Sequence, residues 1–310
     1  MRLFACALLG LVLAATVAPP AALSAPPSRK TRPRRPQPAR PGANKPPRAV
    51  PNPNRFARPE LLVEPEWLQS RLSDPTIRVV DLRDAEQYIE GHLPHAIHFA
   101  PDFLRYGEDR ETYLPPIDLL QRRLRAMGVS DNTHLIVYDD AEGRMPSRFW
   151  LVLLNHGHTR VSLLNGGLKR WRAEGRDTNT EVVRLEPGTV TLRGRGPIVC
   201  ALKDVKPAKD VVLLDARAPE EFKQGHIPGA VQVNWKDNVR EDGTFKSPKE
   251  LRDMYQKKGV TKDREITTYC NNGARAAHAA FTLTLLGYPR IRVYYGSMLD
   301  YGQKRAPVEQ

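Results

Sequence analysis

Cysteine is scarce: three residues in 310, at Cys6, Cys200 and Cys270. That is too few for a disulfide-built scaffold or a four-cysteine zinc cage, so stability must come from apolar burial. No apolar run reaches the roughly 20 residues a membrane-crossing helix needs, and no stable membrane span is expected. Acidic residues are absent from the first 59 positions, which hold eleven Lys and Arg. This tail accounts for most of the net charge of +13, because the chain as a whole carries 48 Lys and Arg against 35 Asp and Glu. The remainder is close to neutral and offers no basic footprint for DNA or RNA, so no nucleic-acid partner is expected. What is present, 40% hydrophobic and 27% charged residues, suffices for a globular core and, at this length, about two domains.

Arg2, the apolar run over residues 3–17 and the small residues around Ala22-Leu23-Ser24-Ala25 read as a secretory signal peptide spanning residues 1–24. The mature protein is therefore expected outside the cytoplasm, in the periplasm or cell envelope, without Cys6. Residues 25–59 form a Pro/Arg-rich stretch in which positions 26–59 hold eleven Pro and ten Lys or Arg. Such a composition cannot bury enough apolar surface to offset chain entropy and predicts a disordered linker. Its charge would suit a tether to an anionic surface, but such charge runs are usually solvated, and a spacer is the favoured reading.

From Glu60 onward the chain repeats itself. Val79-Val80-Asp81-Leu82-Arg83, continuing to Gly91-His92-Leu93-Pro94-His95-Ala96-Ile97, returns as Leu213-Leu214-Asp215-Ala216-Arg217, continuing to Gly225-His226-Ile227-Pro228-Gly229-Ala230-Val231. Later segments correspond in the same order: Leu135-Ile136-Val137-Tyr138 with Ile266-Thr267-Thr268-Tyr269, and Gly157 with Gly287. A period this long marks a duplicated domain. Continuous apolar runs such as Val161-Ser162-Leu163-Leu164 suit strands buried on both faces. Residues 117–127 and 148–154 have helical spacing, with Gly128 and Gly157 placed as C-terminal caps. Strands alternating with helices predict an open α/β sheet in each copy, whose ligands gather beyond the carboxyl ends of the strands.

At one such end, Glu265-Ile266-Thr267-Thr268-Tyr269 leads into Cys270, then Asn271, Asn272, Gly273, Ala274, Arg275 and Ala276, and on into an Ala-rich helical run. A thiol there faces free backbone N–H groups and the positive end of a helix dipole. With a nearby Arg, thiols so placed can titrate well below the usual value of about 8.5 and supply a nucleophilic thiolate. Gly273 lets the chain turn tightly. Cysteine phosphatases carry a similar loop, Cys-x5-Arg; here Arg275 stands one residue closer to Cys270, a smaller ring that suits a single sulfur atom better than a phosphate.

Taken together, Asp215-Ala216-Arg217, Glu220-Glu221-Phe222, Gly225-His226-Ile227-Pro228-Gly229-Ala230, Cys270-x-x-Gly273-x-Arg275 and Gly296 resemble the rhodanese (thiosulfate sulfurtransferase) family. Its two-domain members are the more similar, over about residues 61–302. The resemblance implies an α/β fold of two tandem rhodanese-like domains, each a mainly parallel sheet of about five strands flanked by helices. We assign residues 60–178 to an inactive N-terminal domain, 179–196 to an interdomain linker and 197–310 to a catalytic C-terminal domain. In the first copy Asp139 stands where the second has Cys270, and a carboxylate cannot carry sulfane sulfur. The implied reaction is a double displacement through a Cys270 persulfide, from a small donor such as thiosulfate or 3-mercaptopyruvate to cyanide, a thiol or a thiol-bearing protein. The six residues after Cys270 would stabilise the sulfur anion and Arg275 would draw in the donor. Neither a metal nor an organic cofactor is called for.

Asp215 and Arg217 are expected to brace neighbouring loops, since Asp81 and Arg83 persist in the copy without the cysteine. His92, His226 and His278 are read as structural, and Cys200 as a buried small hydrophobe that would silence the enzyme if it formed a disulfide with Cys270. Only nine residues separate Asp215 from Gly225, so the donor-binding arginines of longer two-domain relatives have no counterpart. The loop matches neither the Cys-Arg-Lys-Gly pattern associated with thiosulfate nor the Cys-Gly-Ser-Gly pattern associated with 3-mercaptopyruvate, and the donor stays open. Two other readings remain: an exported module that carries a persulfide to a protein partner, and a phosphatase-like hydrolase.

Overall fold

A computed structural model of the protein describes residues 54–104, 114–140, 142–194, 196 and 198–310. The expected signal peptide and the linker as far as residue 53 lie outside the described residues. Among the described residues, ten strands form two sheets. The first copy contains β1 (Leu62–Val63), β2 (Ile77–Asp81), β3 (Ala96–His98), β4 (His134–Tyr138) and β5 (Val161–Leu164); the second contains β6 (Val199–Cys200), β7 (Val211–Asp215), β8 (Val231–Gln232), β9 (Glu265–Tyr269) and β10 (Ile291–Tyr294). The sheet orders are β1-β5-β4-β2-β3 and β6-β10-β9-β7-β8, with every pairing parallel. Parallel neighbours require crossover connections, and helices supply most of them. In the first copy these are α1 (Pro65–Gln69), α2 (Ala85–Glu90), α3 (Ile117–Ala126), α4 (Arg144–Asn155) and α5 (Gly167–Ala173). The second adds α6 (Pro219–Gln224), α7 (Pro248–Lys257), α8 (Ala274–Leu285) and α9 (Ser297–Gln303). Among the described residues, no helix is long and apolar enough to cross a membrane.

One apolar cluster spans both copies, and each copy has a smaller one of its own. Helices α4 and α8 are buried along most of their length and pack on each other, with Trp150 edge-on to Phe281 at 5.2 Å between ring centroids. The fully buried Arg148 of α4 donates through Nε to the hydroxyl of Tyr295, just beyond β10, at 2.6 Å. Tyr295 donates in turn to the carbonyl of Leu104 at 3.0 Å.

The stretch 179–196 behaves less like a linker than its composition suggests. The Gly188 and Val190 amides donate to the carbonyls of Arg125 and Val129, and Val190 and Leu192 join the core. At the other boundary, the amides of Ala57 and Arg58 donate to the Leu285 carbonyl, so the end of the Pro/Arg-rich stretch is fastened to the second copy.

Candidate active site

Strand β9 lies at the centre of its sheet and delivers Cys270 beyond its carboxyl end. The Cys270 amide donates to Ser297 Oγ at 3.0 Å, and that hydroxyl donates to the Tyr294 carbonyl at 2.9 Å. The carbonyls of Cys270 and Asn271 accept from the amides of Met298 and Leu299 in the first turn of α9. The loop is thereby sewn to the neighbouring connection on one side. On the other, Gly273 adopts φ +91°, where a side chain would be strained, and a Cβ there would lie 2.7 Å from the Tyr295 carbonyl oxygen. The resulting turn points the Gly273 amide back at Cys270 Sγ, 3.1 Å away.

Helix α8 begins at the next residue, so the sulfur sits at the positive end of a twelve-residue helix. The expected six-residue loop is shorter than the sequence suggests: Ala274, Arg275 and Ala276 already belong to the helix, and Asn271, Asn272 and Gly273 make the turn. Cys270 is fully buried.

Arg275 is not left free to attract a donor. Its Nη1 and Nη2 donate to the two carboxylate oxygens of Glu221 at 2.5 and 2.8 Å. Burial works against the guanidinium charge, but Glu221 and the nearby Cys270 sulfur hold its pKa above the ordinary value. The same hydrogen bonds hold the Glu221 carboxyl below the usual range. Asp215 and Arg217 brace the turn before α6: Arg217 Nη2 meets Asp215 Oδ2 at 2.6 Å and the Gly225 carbonyl at 2.7 Å. Asp81, Arg83 and Gly91 repeat this arrangement at the same distances.

In the first copy the equivalent cradle is filled from within. Asp139 Oδ1 accepts from the Gly143 amide and Oδ2 from the Met145 amide, both at 3.0 Å, at the start of α4. His278, on α8, reaches the loop of the first copy. Its Nε2 lies 3.1 Å from the Glu142 carbonyl oxygen, its Nδ1 lies 3.3 Å from Asn238 Nδ2, and Phe245 stacks on its ring. Burial lowers its pKa to about 4, so it is neutral. Cys200 and Cys270 are free thiols, and burial pushes Cys200 up to about 11. The sequence reading missed Ser297 and the role of Glu221. Ser297 follows Gly296 directly, but only its positive φ of 53° and its bond to Cys270 reveal its part.

The family model for the Rhodanese-like domain matches residues 64–174 and 201–304. The chain is 35% identical over 280 residues to the sulfur carrier protein TtuD of Thermus thermophilus, covering 80% of this chain and 95% of that protein. It is 33% identical over 267 residues to a thiosulfate sulfurtransferase of Azotobacter vinelandii, covering 82% and 98%. The crystal structure of the 3-mercaptopyruvate sulfotransferase SseA from Escherichia coli is similar at a TM-score of 0.71 and 29% identity, covering 76% of this chain and 98% of that one.

Proposed function

This chain belongs to the rhodanese family, and on that premise we propose that it is a sulfurtransferase in which Cys270 carries the transferred sulfur as a persulfide. The observation that carries the reading is the Gly273 amide aimed at Cys270 Sγ from the start of α8. A sulfur that is anionic as thiolate and again as persulfide is stabilised there by fixed dipoles that need not reorganise. The donor is a small sulfur compound, for which thiosulfate is the first choice and 3-mercaptopyruvate, whose C–S bond would break with pyruvate as the leaving group, the second. The thiolate attacks the outer sulfur of thiosulfate, a new S–S bond forms, and the old one breaks with its electron pair leaving as sulfite. Cyanide or a thiolate then attacks the outer sulfur of the persulfide, departs as thiocyanate or a new persulfide, and returns Cys270 as thiolate. The balance closes without a cofactor.

The likeness to a protein named a sulfur carrier favours a second reading of the acceptor, in which the persulfide is handed to a protein thiol. In both readings the protein works outside the cytoplasm after residues 1–24 are removed, on the strength of the apolar run and small residues that open the chain.

One experiment tests these statements: thiocyanate production from thiosulfate and cyanide by the full chain and by Cys270→Ala, with intact masses before and after donor addition. The parent should turn over and gain one sulfur, the variant should do neither, and both masses should lack residues 1–24. A parent that gains sulfur but turns over poorly with cyanide moves the protein acceptor to the front. A parent that never gains sulfur from either donor sinks the small-donor assignment.

A further inference from the structure

The two copies differ at the first strand of each sheet, and the difference is a cavity. In the first copy Glu64, the residue after β1, reaches across the crevice beyond β5: Oε1 accepts from Asn165 Nδ2 at 2.9 Å and Oε2 meets Arg170 Nη1 at 2.5 Å. Arg170 also pairs with Glu174 at 2.7 Å. Strand register makes Ala201 and Tyr295 the counterparts of Glu64 and Asn165, and the matching bounds of α5 and α9 make Asp300 and Lys304 the counterparts of Arg170 and Glu174. Ala201 cannot fill the space that Glu64 fills, and a cavity of about 350 Å³ opens there.

Its chemistry is the reverse of its counterpart's. Where the first copy sets Glu64 against an arginine, the cavity is lined by the Asp300 carboxylate, a residue only 7% exposed. Asp300 accepts from the Tyr294 hydroxyl at 2.7 Å and from Lys304 at 2.6 Å. The Lys304 side chain is 53% exposed, so it can yield its place to another cation at little cost. Asn155, the last residue of α4, lines the same cavity. It is fully buried, and neither its amide nitrogen nor its amide oxygen has a hydrogen-bond partner among the described residues. Buried amides are rarely left so, and an unsatisfied donor and acceptor on one wall call for a group that both accepts and donates. Leu202 and Tyr295 also line it.

We propose that this cavity binds a small primary-ammonium ligand bearing an amide group, with the ammonium on Asp300, the amide on Asn155 and the apolar body against Leu202 and Tyr295. Cys270 is not among the residues that line the cavity.

The test is a titration of the full chain with L-leucinamide, followed by calorimetry and ligand-observed NMR. Its control is 4-methylpentanamide, the same body without the ammonium. Leucinamide should bind saturably at millimolar concentrations, and the control about tenfold or more weakly, as expected on losing a charge-assisted hydrogen bond. Asp300→Asn should weaken leucinamide by a similar factor. Ala201→Lys should block it, because the tethered ammonium meets Asp300 as Glu64 meets Arg170; it also serves if Asp300→Asn does not fold. Cys270→Ala should bind as the parent does. Absence of saturable binding, which a water-filled cavity would give, equal binding of the control, or undiminished binding to folded Ala201→Lys would each overturn the proposal.

Discussion

Arg275 stands beside a sulfur that becomes anionic during turnover, yet Glu221 holds both of its terminal nitrogens. A cation so paired contributes little net field at the mouth of the cradle, and an anionic donor gains less from it than from a free guanidinium. Glu221→Gln should therefore lower KM for thiosulfate by about fivefold, the scale of a partly exposed charge pair, with kcat within about a factor of two. Steady-state kinetics at low and high salt would read this, and the gain should shrink as salt rises. A KM that rises instead would mean that Glu221 serves mainly to hold Arg275 in place. Because the Glu221 carboxyl titrates below its usual range, the pair forms at neutral pH and persists as pH falls into the range where ordinary carboxylates protonate.

At the scale of elements, α4 and α8 are equivalent helices whose N-termini meet different side chains. The second copy offers its turn to Cys270 Sγ, while the first closes its own around the Asp139 carboxylate. Asp139 thus acts as an N-terminal cap, and Asp139→Ala should cost about 1 kcal/mol, visible as a fall in Tm of about 2–4 °C. Thiosulfate turnover by the remaining folded protein should be unchanged. A loss of turnover without a loss of stability would instead place the first loop in the reaction.

The exchange of cysteine for aspartate was legible in the sequence, because the duplication aligns Tyr138-Asp139 with Tyr269-Cys270. The central strands were legible too, since residues buried on both faces leave unbroken apolar runs. The start of α4 was not. Its spacing reads from Arg148, but the helix begins at Arg144 and takes Pro146 into its first turn, where a missing N–H leaves no intrahelical bond unmade. The segment 179–196 has no period and so read as a linker, although isolated side chains such as Val190 and Leu192 fasten it to the core. The Glu221–Arg275 pair joins residues 54 apart, between the first turns of two helices that no local pattern connects.

In the whole molecule the two copies are joined by more than apolar packing. The Tyr255 hydroxyl donates to Asn238 Oδ1, Asn238 Nδ2 faces His278 Nδ1, and His278 Nε2 faces the Glu142 carbonyl of the first copy. The chain is satisfied only by a neutral imidazole that accepts at Nδ1 and donates at Nε2. A second proton would set donor against donor in a fully buried place, with Arg144 adding repulsion, and the folded state takes it only near pH 4. The unfolded chain takes that proton near 6.5. The stabilisation from a neutral His278 is therefore complete above about pH 6.5 and is lost progressively as pH falls towards 4, by an amount on the order of 3 kcal/mol. Urea unfolding at pH 7 and pH 4.5 should show this loss in the parent, beyond whatever the carboxylates contribute. His278→Gln has no proton to gain, and it should be less stable at pH 7 but lose less between the two pH values. Equal losses in parent and variant would mean that His278 does not couple protonation to folding. The neutral histidine stands on α8 and faces the loop that opens α4, so its protonation would loosen the copies at the interface that supports the cradle.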